Sequence, residues 1–237
     1  MKGFNKSFIL SVIFLLLVSL AQNLNSPTKR GQTFLPDSPS FPSRFILMGD
    51  TGSGNENQQA VAKAIQKDCD VRKNCGGVFV LGDVIYERGV KEIEDSQFRT
   101  KFEDPYRDIN LPCYIVLGNR DNLGCVDCYL KYSEISSKWI MPDLYYKKDF
   151  GEIAFYTINT ENFGLDQQGW LKEQLEDDKS SWKVVLGHKP LKSYEKTKVS
   201  EEWKGKGELE EIICKDADIY ISGHAHVSEH RWSNSWL

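Results

Sequence analysis

Three of the chain's four histidines fall in ISGHAHVSEH, and the fourth, His188, stands in VVLGHKP. Imidazole nitrogens ligate divalent and trivalent metals well, and an H-x-H pair such as His224 and His226 invites that reading. Other donors stand in matching surroundings. Apolar runs ending in LMGD, VLGD and VLGN carry Asp50, Asp83 and Asn119 to the position that His188 takes in VLGH and His224 in ISGH. Singly, an aspartate after a strand is more often a turn former or a helix cap, and a lone histidine is more often a satisfied polar residue. Five apolar runs that each end in glycine and then an oxygen or imidazole donor point together to a polynuclear metal site. His226 is expected to face the same way as His224, because residues two apart share a face of an extended chain. His230 reads as a surface residue.

Positioning those donors takes a sheet. RFILMGD is followed by a helical stretch from Asn57 to about Asp68, with Ala60, Val61, Ala64 and Ile65 expected on one face. GVFVLGD and CYIVLGN read as further strands. LYYKKDFGEIAFYTINT reads as two strands joined through Asp149-Phe150-Gly151. DQQGWLKEQLEDDK is an amphipathic helix, WKVVLGH a strand, ELEEIICKD a helix and DIYISGH the last strand. This alternation predicts an α/β fold with a mainly parallel central sheet. Ligands of open α/β sheets bind beyond the carboxyl ends of the strands, and glycine there allows a sharp exit from the sheet. The aromatics Phe98, Phe102, Tyr106, Tyr129, Tyr132 and Trp139 suit a pocket lining or core packing equally.

The first residues have the layout of a secretory signal peptide: Lys2 and Lys6, an apolar run from Phe8 to Leu20, then Ser19-Leu20-Ala21. Cleavage is expected after Ala21. The run falls short of the roughly 20 residues a membrane span needs, so no membrane association beyond targeting is expected. Residues 22–43 hold Pro27, Pro36, Pro39 and Pro42 and read as an extended lead-in, with one domain over residues 44–237. A net charge of −4 without a basic cluster gives no footprint for nucleic acid. Six cysteines fit an oxidising compartment, secreted or periplasmic. A Cys69–Cys75 disulfide is plausible. Cys125 and Cys128 form a lone C-x-x-C, better read as a local disulfide or two thiols than as a zinc site.

The blocks GDTGSG, GDVIYERG, GNRD, GHKP and GHAH, in that order from about Arg44 to His226, resemble the calcineurin-like metallophosphoesterases. The absence of a histidine two residues after Asp50, and Tyr86 three residues beyond Asp83, resemble the purple acid phosphatase branch, which includes the tartrate-resistant acid phosphatases. That resemblance implies an αββα sandwich of two mixed sheets flanked by helices. It also implies a binuclear centre. Asp50, Asp83, Tyr86 and His226 would hold Fe(III), which a phenolate favours. Asp83, Asn119, His188 and His224 would hold a divalent iron, zinc or manganese, with Asp83 bridging. The implied reaction is hydrolysis of small phosphate monoesters by a hydroxide generated at the metals. Asn119 and Arg120 are the candidate catalytic pair.

The pattern breaks in three places. Arg120 stands where the family has a histidine; arginine grips phosphate in a two-pronged contact but is a poor general acid near neutral pH. Val84 stands where the branch usually has asparagine, which is expected to retune the site. Only VSEHRWSNSWL follows His226, so the expectation is either a trimmed second sheet with an exposed edge or a truncated reading. The alternatives are a non-catalytic metal-binding scaffold or a phosphodiesterase of the same superfamily. The oligomeric state has no signature, and a monomer is the expectation.

Overall fold

A computed structural model describes residues 14–15, 42–193 and 203–230. The segments expected to be a signal peptide and a proline-rich lead-in lie outside the described residues, apart from 14–15 and 42–43. Phe14–Leu15 (β1) pairs antiparallel with Arg44–Met48 (β2). Beyond β2, Cys75–Leu81 (β3), Cys113–Val116 (β4) and Trp139–Ile140 (β5) continue the sheet in parallel, in the order β1-β2-β3-β4-β5. A second sheet contains Tyr146–Phe150 (β6), Ile153–Thr157 (β7), Trp182–Leu186 (β8) and Ile219–Ile221 (β9). Its β6–β7 pair is the hairpin expected around Gly151, antiparallel, while β8 and β9 add in parallel.

The five strands that end in donors therefore belong to two sheets, three to the first and two to the second. This corrects the single central sheet expected from alternation and agrees with the sandwich implied by the resemblance. Local periodicity reports strands; it does not report which strand lies beside which.

The sheets are held face to face by aromatic packing. Phe155 of β7 lies 4.4 Å from Phe79 of β3 and 4.9 Å from Phe45 of β2, centroid to centroid. Its neighbours in sequence point the other way. Ala154 and Tyr156 join Leu171 and Leu175 of the helix Leu165–Asp177 and Leu209 and Ile213 of the helix Lys206–Asp216 in a second core. Alternation along β7 thus faces the first sheet with one set and helices with the other.

In chain order the helices are α1 (Glu56–Arg72), α2 (Ser96–Phe98, continued by a wide helical turn over Arg99–Glu103), α3 (Val126–Tyr132), α4 (Leu165–Asp177) and α5 (Lys206–Asp216). Asn55 caps α1 by accepting the amide of Gln58 at 3.1 Å. The face α1 buries is Gln58, Ala62 and Ile65, with Val61 and Cys69 beside it; Ala60 and Ala64 are exposed, contrary to expectation. Gln58 displaces them because its amide reaches the Lys101 carbonyl at 2.6 Å and the Tyr106 hydroxyl at 3.1 Å, a polar use of a core position.

The six aromatics of the long connections are core, not pocket. Phe98 stacks on Tyr132 at 3.8 Å, and Trp139 meets Phe98 and Phe102 edge-on at 5.5 and 4.7 Å. The Cys69–Cys75 disulfide joins α1 to β3, and Cys125–Cys128 form a local disulfide at the start of α3. Cys113 is a buried thiol whose pKa burial pushes up to about 12. Among the described residues β9 is one of the two outer strands of the second sheet, opposite β6, beside an apolar cleft lined by Phe45, Leu47, Phe155, Val184, Ile219 and Ile221. No helix among the described residues is long and apolar enough to cross a membrane.

Candidate metal centre

Beyond the carboxyl ends of β2, β3, β4, β8 and β9, the expected donors come together in two groups. In the first, the Tyr86 hydroxyl lies 3.1 Å from His226 Nε2 and 3.3 Å from Asp50 Oδ1, and His226 Nε2 lies 3.0 Å from the same Asp50 oxygen. In the second, His188 Nε2 and His224 Nδ1 each lie 3.0 Å from Asn119 Oδ1. The two ring nitrogens stand 3.2 Å apart. Asp83, only 3% exposed, is between the groups: its Oδ1 is 3.5 Å from His188 Nε2, and its charge also bears on Tyr86. Asp50, Asp83 and His188 offer ligand atoms that all lie within 4.8 Å of one another.

The backbone achieves this by close approach. Gly82 has φ +82°, and a Cβ there would lie 2.3 Å from His188 Nδ1; a Cβ on Gly118 would lie 2.2 Å from the Asp83 amide nitrogen. The left-handed turn itself falls mostly on the donors: Asp50, Asp83, His224 and His226 have φ of 57°, 51°, 68° and 56°. Apart from Gly82, the strand-end glycines thus serve proximity more than turning, which corrects the sequence expectation. His224 and His226 lie past the end of β9, so strand periodicity does not orient them, and each faces a different donor group. Strained non-glycine turns of this kind cost of order 1–3 kcal/mol each and concentrate at functional sites.

The chemistry of the donors calls for a cation. His188 Nδ1 is 2.8 Å from the Leu81 carbonyl, so the neutral ring carries its proton there and turns the Nε2 lone pair toward Asn119 Oδ1, itself an acceptor. Burial, and second the repulsion that a protonated His188 would exert, hold His224 down at about 4, so its ring is neutral and able to ligate. Burial alone would raise Asp50, yet the His226 hydrogen bond, the charges of His188 and His226 and the His224 amide (2.8 Å from Oδ2) leave it lowered. Burial and then the Asp50 and Asp83 carboxylates push the Tyr86 phenol far up, so phenolate there requires a strong positive charge. Lone pairs, carboxylates and a phenol turned on one another in a largely buried cleft fit a metal pair.

Arg120 joins through its backbone: its amide donates to Asp83 Oδ1 at 2.9 Å, while the residue as a whole is exposed. Val84, expected in an outer shell, is fully buried in the apolar core, and its amide donates to Asp121. His230 is exposed. The residue that sequence reasoning passed over is Asp121. Its carboxylate is fully buried and accepts from Val84, Ile85 and Gly118 amides at 3.1, 3.1 and 2.8 Å and from the Tyr129 hydroxyl at 3.1 Å. Its signal in the sequence is the fourth position of GNRD, two residues after Asn119 and not next to a glycine as the five strand-end donors are.

The comparisons agree with this geometry. Residues 43–228 match the family model described as calcineurin-like phosphoesterase. The chain is 30% identical over 213 residues to tartrate-resistant acid phosphatase type 5 of Oryctolagus cuniculus, covering 74% of this chain and 62% of that protein. It is 28% identical to purple acid phosphatase 4 of Arabidopsis thaliana, covering 92% of this chain and 72% of that one. The chain thus spans about three-fifths of the length of the tartrate-resistant phosphatase it matches. Among solved structures it is similar to GAP50, the anchor in the inner membrane complex of Plasmodium, with TM-score 0.63, 25% identity, and coverage of 76% of this chain and 65% of that one. A family match over most of the described residues, and strand-end donors gathered as that family's blocks require, identify this chain as a member of the calcineurin-like phosphoesterase family.

Proposed function

We propose that this protein is a secreted, metal-dependent phosphatase acting on small phosphate monoesters. The observation that carries the reading is the meeting of two donor groups at Asp83. Asp50, Asp83, Tyr86 and His226 would hold Fe(III), and Asp83, Asn119, His188 and His224 a divalent iron, zinc or manganese. When bound, such a pair supplies charge neutralisation for the phosphate and acidifies water at neutral pH. The chain's own residues do the rest. The Leu81 carbonyl fixes the His188 tautomer, so Nε2 keeps its lone pair turned into the site. The glycine contacts hold the strand ends close enough for six donors and a phenol to converge.

Arg120, an exposed residue directly after Asn119, would grip two phosphate oxygens as charge builds on them. It does not give up a proton readily, so leaving groups that need protonation react slowly. Absence of a general acid typically costs about 10²–10⁴ in rate for such substrates. Aryl phosphates such as p-nitrophenyl phosphate, whose leaving group departs unprotonated, are the good substrates. Secretion is supported by the basic and apolar start of the chain and by the two disulfides.

A second reading, a non-catalytic metal-binding module, is favoured by Arg120 and by the similarity to GAP50, which is described as an anchor. Bound iron, visible absorption and phosphate release measured on the purified protein separate the two. Ferric iron with a tyrosinate charge-transfer band and turnover supports the enzyme. Metal without turnover supports the module, and no metal overturns both.

A further inference from the structure

Asp121 carries a charge into the interior without a cation beside it among its hydrogen-bond partners, and it is fully buried. Such a group costs several kcal/mol unless every lone pair is met. Here three backbone amides and one phenol meet them. The amides come from two different turns: Val84 and Ile85 lie between Asp83 and Tyr86, and Gly118 immediately precedes Asn119. The tie is reciprocal. The Asp121 side chain grips the backbone of the β3 turn, and the Asp83 side chain accepts the Arg120 amide of the β4 turn at 2.9 Å. A third element joins through Tyr129 of α3, whose hydroxyl also lies on Asp121 Oδ1.

We propose that Asp121 is a positioning residue which sets the separation of the Asp83–Tyr86 turn from the Asn119–Arg120 turn, and so the spacing of the two donor groups. The proposal rests on the metal-centre reading of those residues. It follows from geometry: β3 and β4 are joined by ladder bonds only as far as Leu81 and Val116, and beyond that register the two turns are spanned by these carboxylate bonds. Shared acceptance by one rigid carboxylate fixes two amides of one turn against one of the other. The loss of such an outer partner typically costs 10–100-fold in metal affinity.

The test uses the full chain freed of metal and titrated with zinc by calorimetry, with hydrogen exchange followed in peptides covering 82–86 and 117–120. Asp121→Asn keeps the size but offers one acceptor oxygen and turns an NH₂ toward the other turn's amide. Expected are faster exchange in both peptides and a zinc affinity lower by about 10–100-fold. Should that variant fail to fold, Tyr129→Phe decides: it removes one hydrogen bond from the carboxylate, and a loss of about fivefold is expected. Leu171→Ala, in α4 behind the second sheet, is the control for general destabilisation. The proposal is overturned if exchange in both peptides is unchanged, if zinc affinity is unchanged, or if Leu171→Ala weakens zinc as much. Absence of zinc binding by the parent protein would refute the metal-centre reading instead; the exchange measurement would still decide whether Asp121 links the turns.

Discussion

His188 Nε2 and His224 Nδ1 stand 3.2 Å apart, each 3.0 Å from the same Asn119 oxygen, although they leave different strands of the second sheet and Asn119 leaves the first. With the His188 proton held on Nδ1 by the Leu81 carbonyl, a His224 ring protonated on Nε2 would put two lone pairs and a carboxamide oxygen, all partly negative, around one point. A cation at the centre turns that conflict into ligation, whereas without one the His224 proton must sit on Nδ1 and be donated to Asn119. That relationship makes the centre testable one residue at a time.

Asp83 touches both groups, so its removal is expected to disturb both. Asp83→Ala should lose more metal affinity than the 10–100-fold typical of an outer partner, together with turnover. Metal content by elemental analysis checks this. Retention of a full metal complement would show that Asp83 does not bridge.

The clearance at Gly118 is too small for a methyl group: a Cβ would lie 2.2 Å from the Asp83 nitrogen and 2.4 Å from its Oδ1. Gly118→Ala should cost about 1–3 kcal/mol as an overpacking change against backbone, seen as a lower unfolding midpoint. Gly169, in the middle of α4, has no atom within 4 Å of such a Cβ. There the same substitution should stabilise by about 0.5–1 kcal/mol, from helix propensity. If both changes act alike, the close approach at Gly118 is wrong.

Arg120→His restores an acid at the rim. Its rate on alkyl phosphates should rise toward that on aryl phosphates, recovering part of the 10²–10⁴ assigned to a missing general acid. Equal rates on both leaving-group classes in the parent protein would show that Arg120 is no handicap.

A pH effect on stability is expected away from the centre. Burial works to raise the Asp178 carboxyl, but Lys147 Nζ at 2.8 Å, the Tyr156 hydroxyl and the Ser180 amide at 2.6 Å hold it well below the carboxylate range. A folded-state pKa below the unfolded value, about 3.9, gives stabilisation that is complete above that value and lost as pH falls past it. Asp178→Asn should therefore cost about 1–3 kcal/mol at pH 7, with the gap closing in acid. Denaturant melts of both forms from pH 7 to pH 3 measure this, and a gap constant with pH would contradict it.

Local chemistry made much of this protein readable from its residues alone. Apolar runs closing on glycine and a donor marked the ends of β2, β3, β4, β8 and β9, because burial and exit from a sheet are properties of adjacent residues. The β6–β7 hairpin followed from Gly151, and the Cys69–Cys75 bond from a short span between α1 and β3. Tertiary structure decided what depends on contacts between distant segments. It divided the five strand ends between two sheets, chose Gln58 and Ala62 over Ala60 and Ala64, and put the left-handed turns on Asp50, Asp83 and His224. It also sank the six aromatics into the core and drew Asp121 under two turns at once. No periodicity records these outcomes, since each is fixed by which backbone amides and apolar faces meet after the chain has folded back on itself.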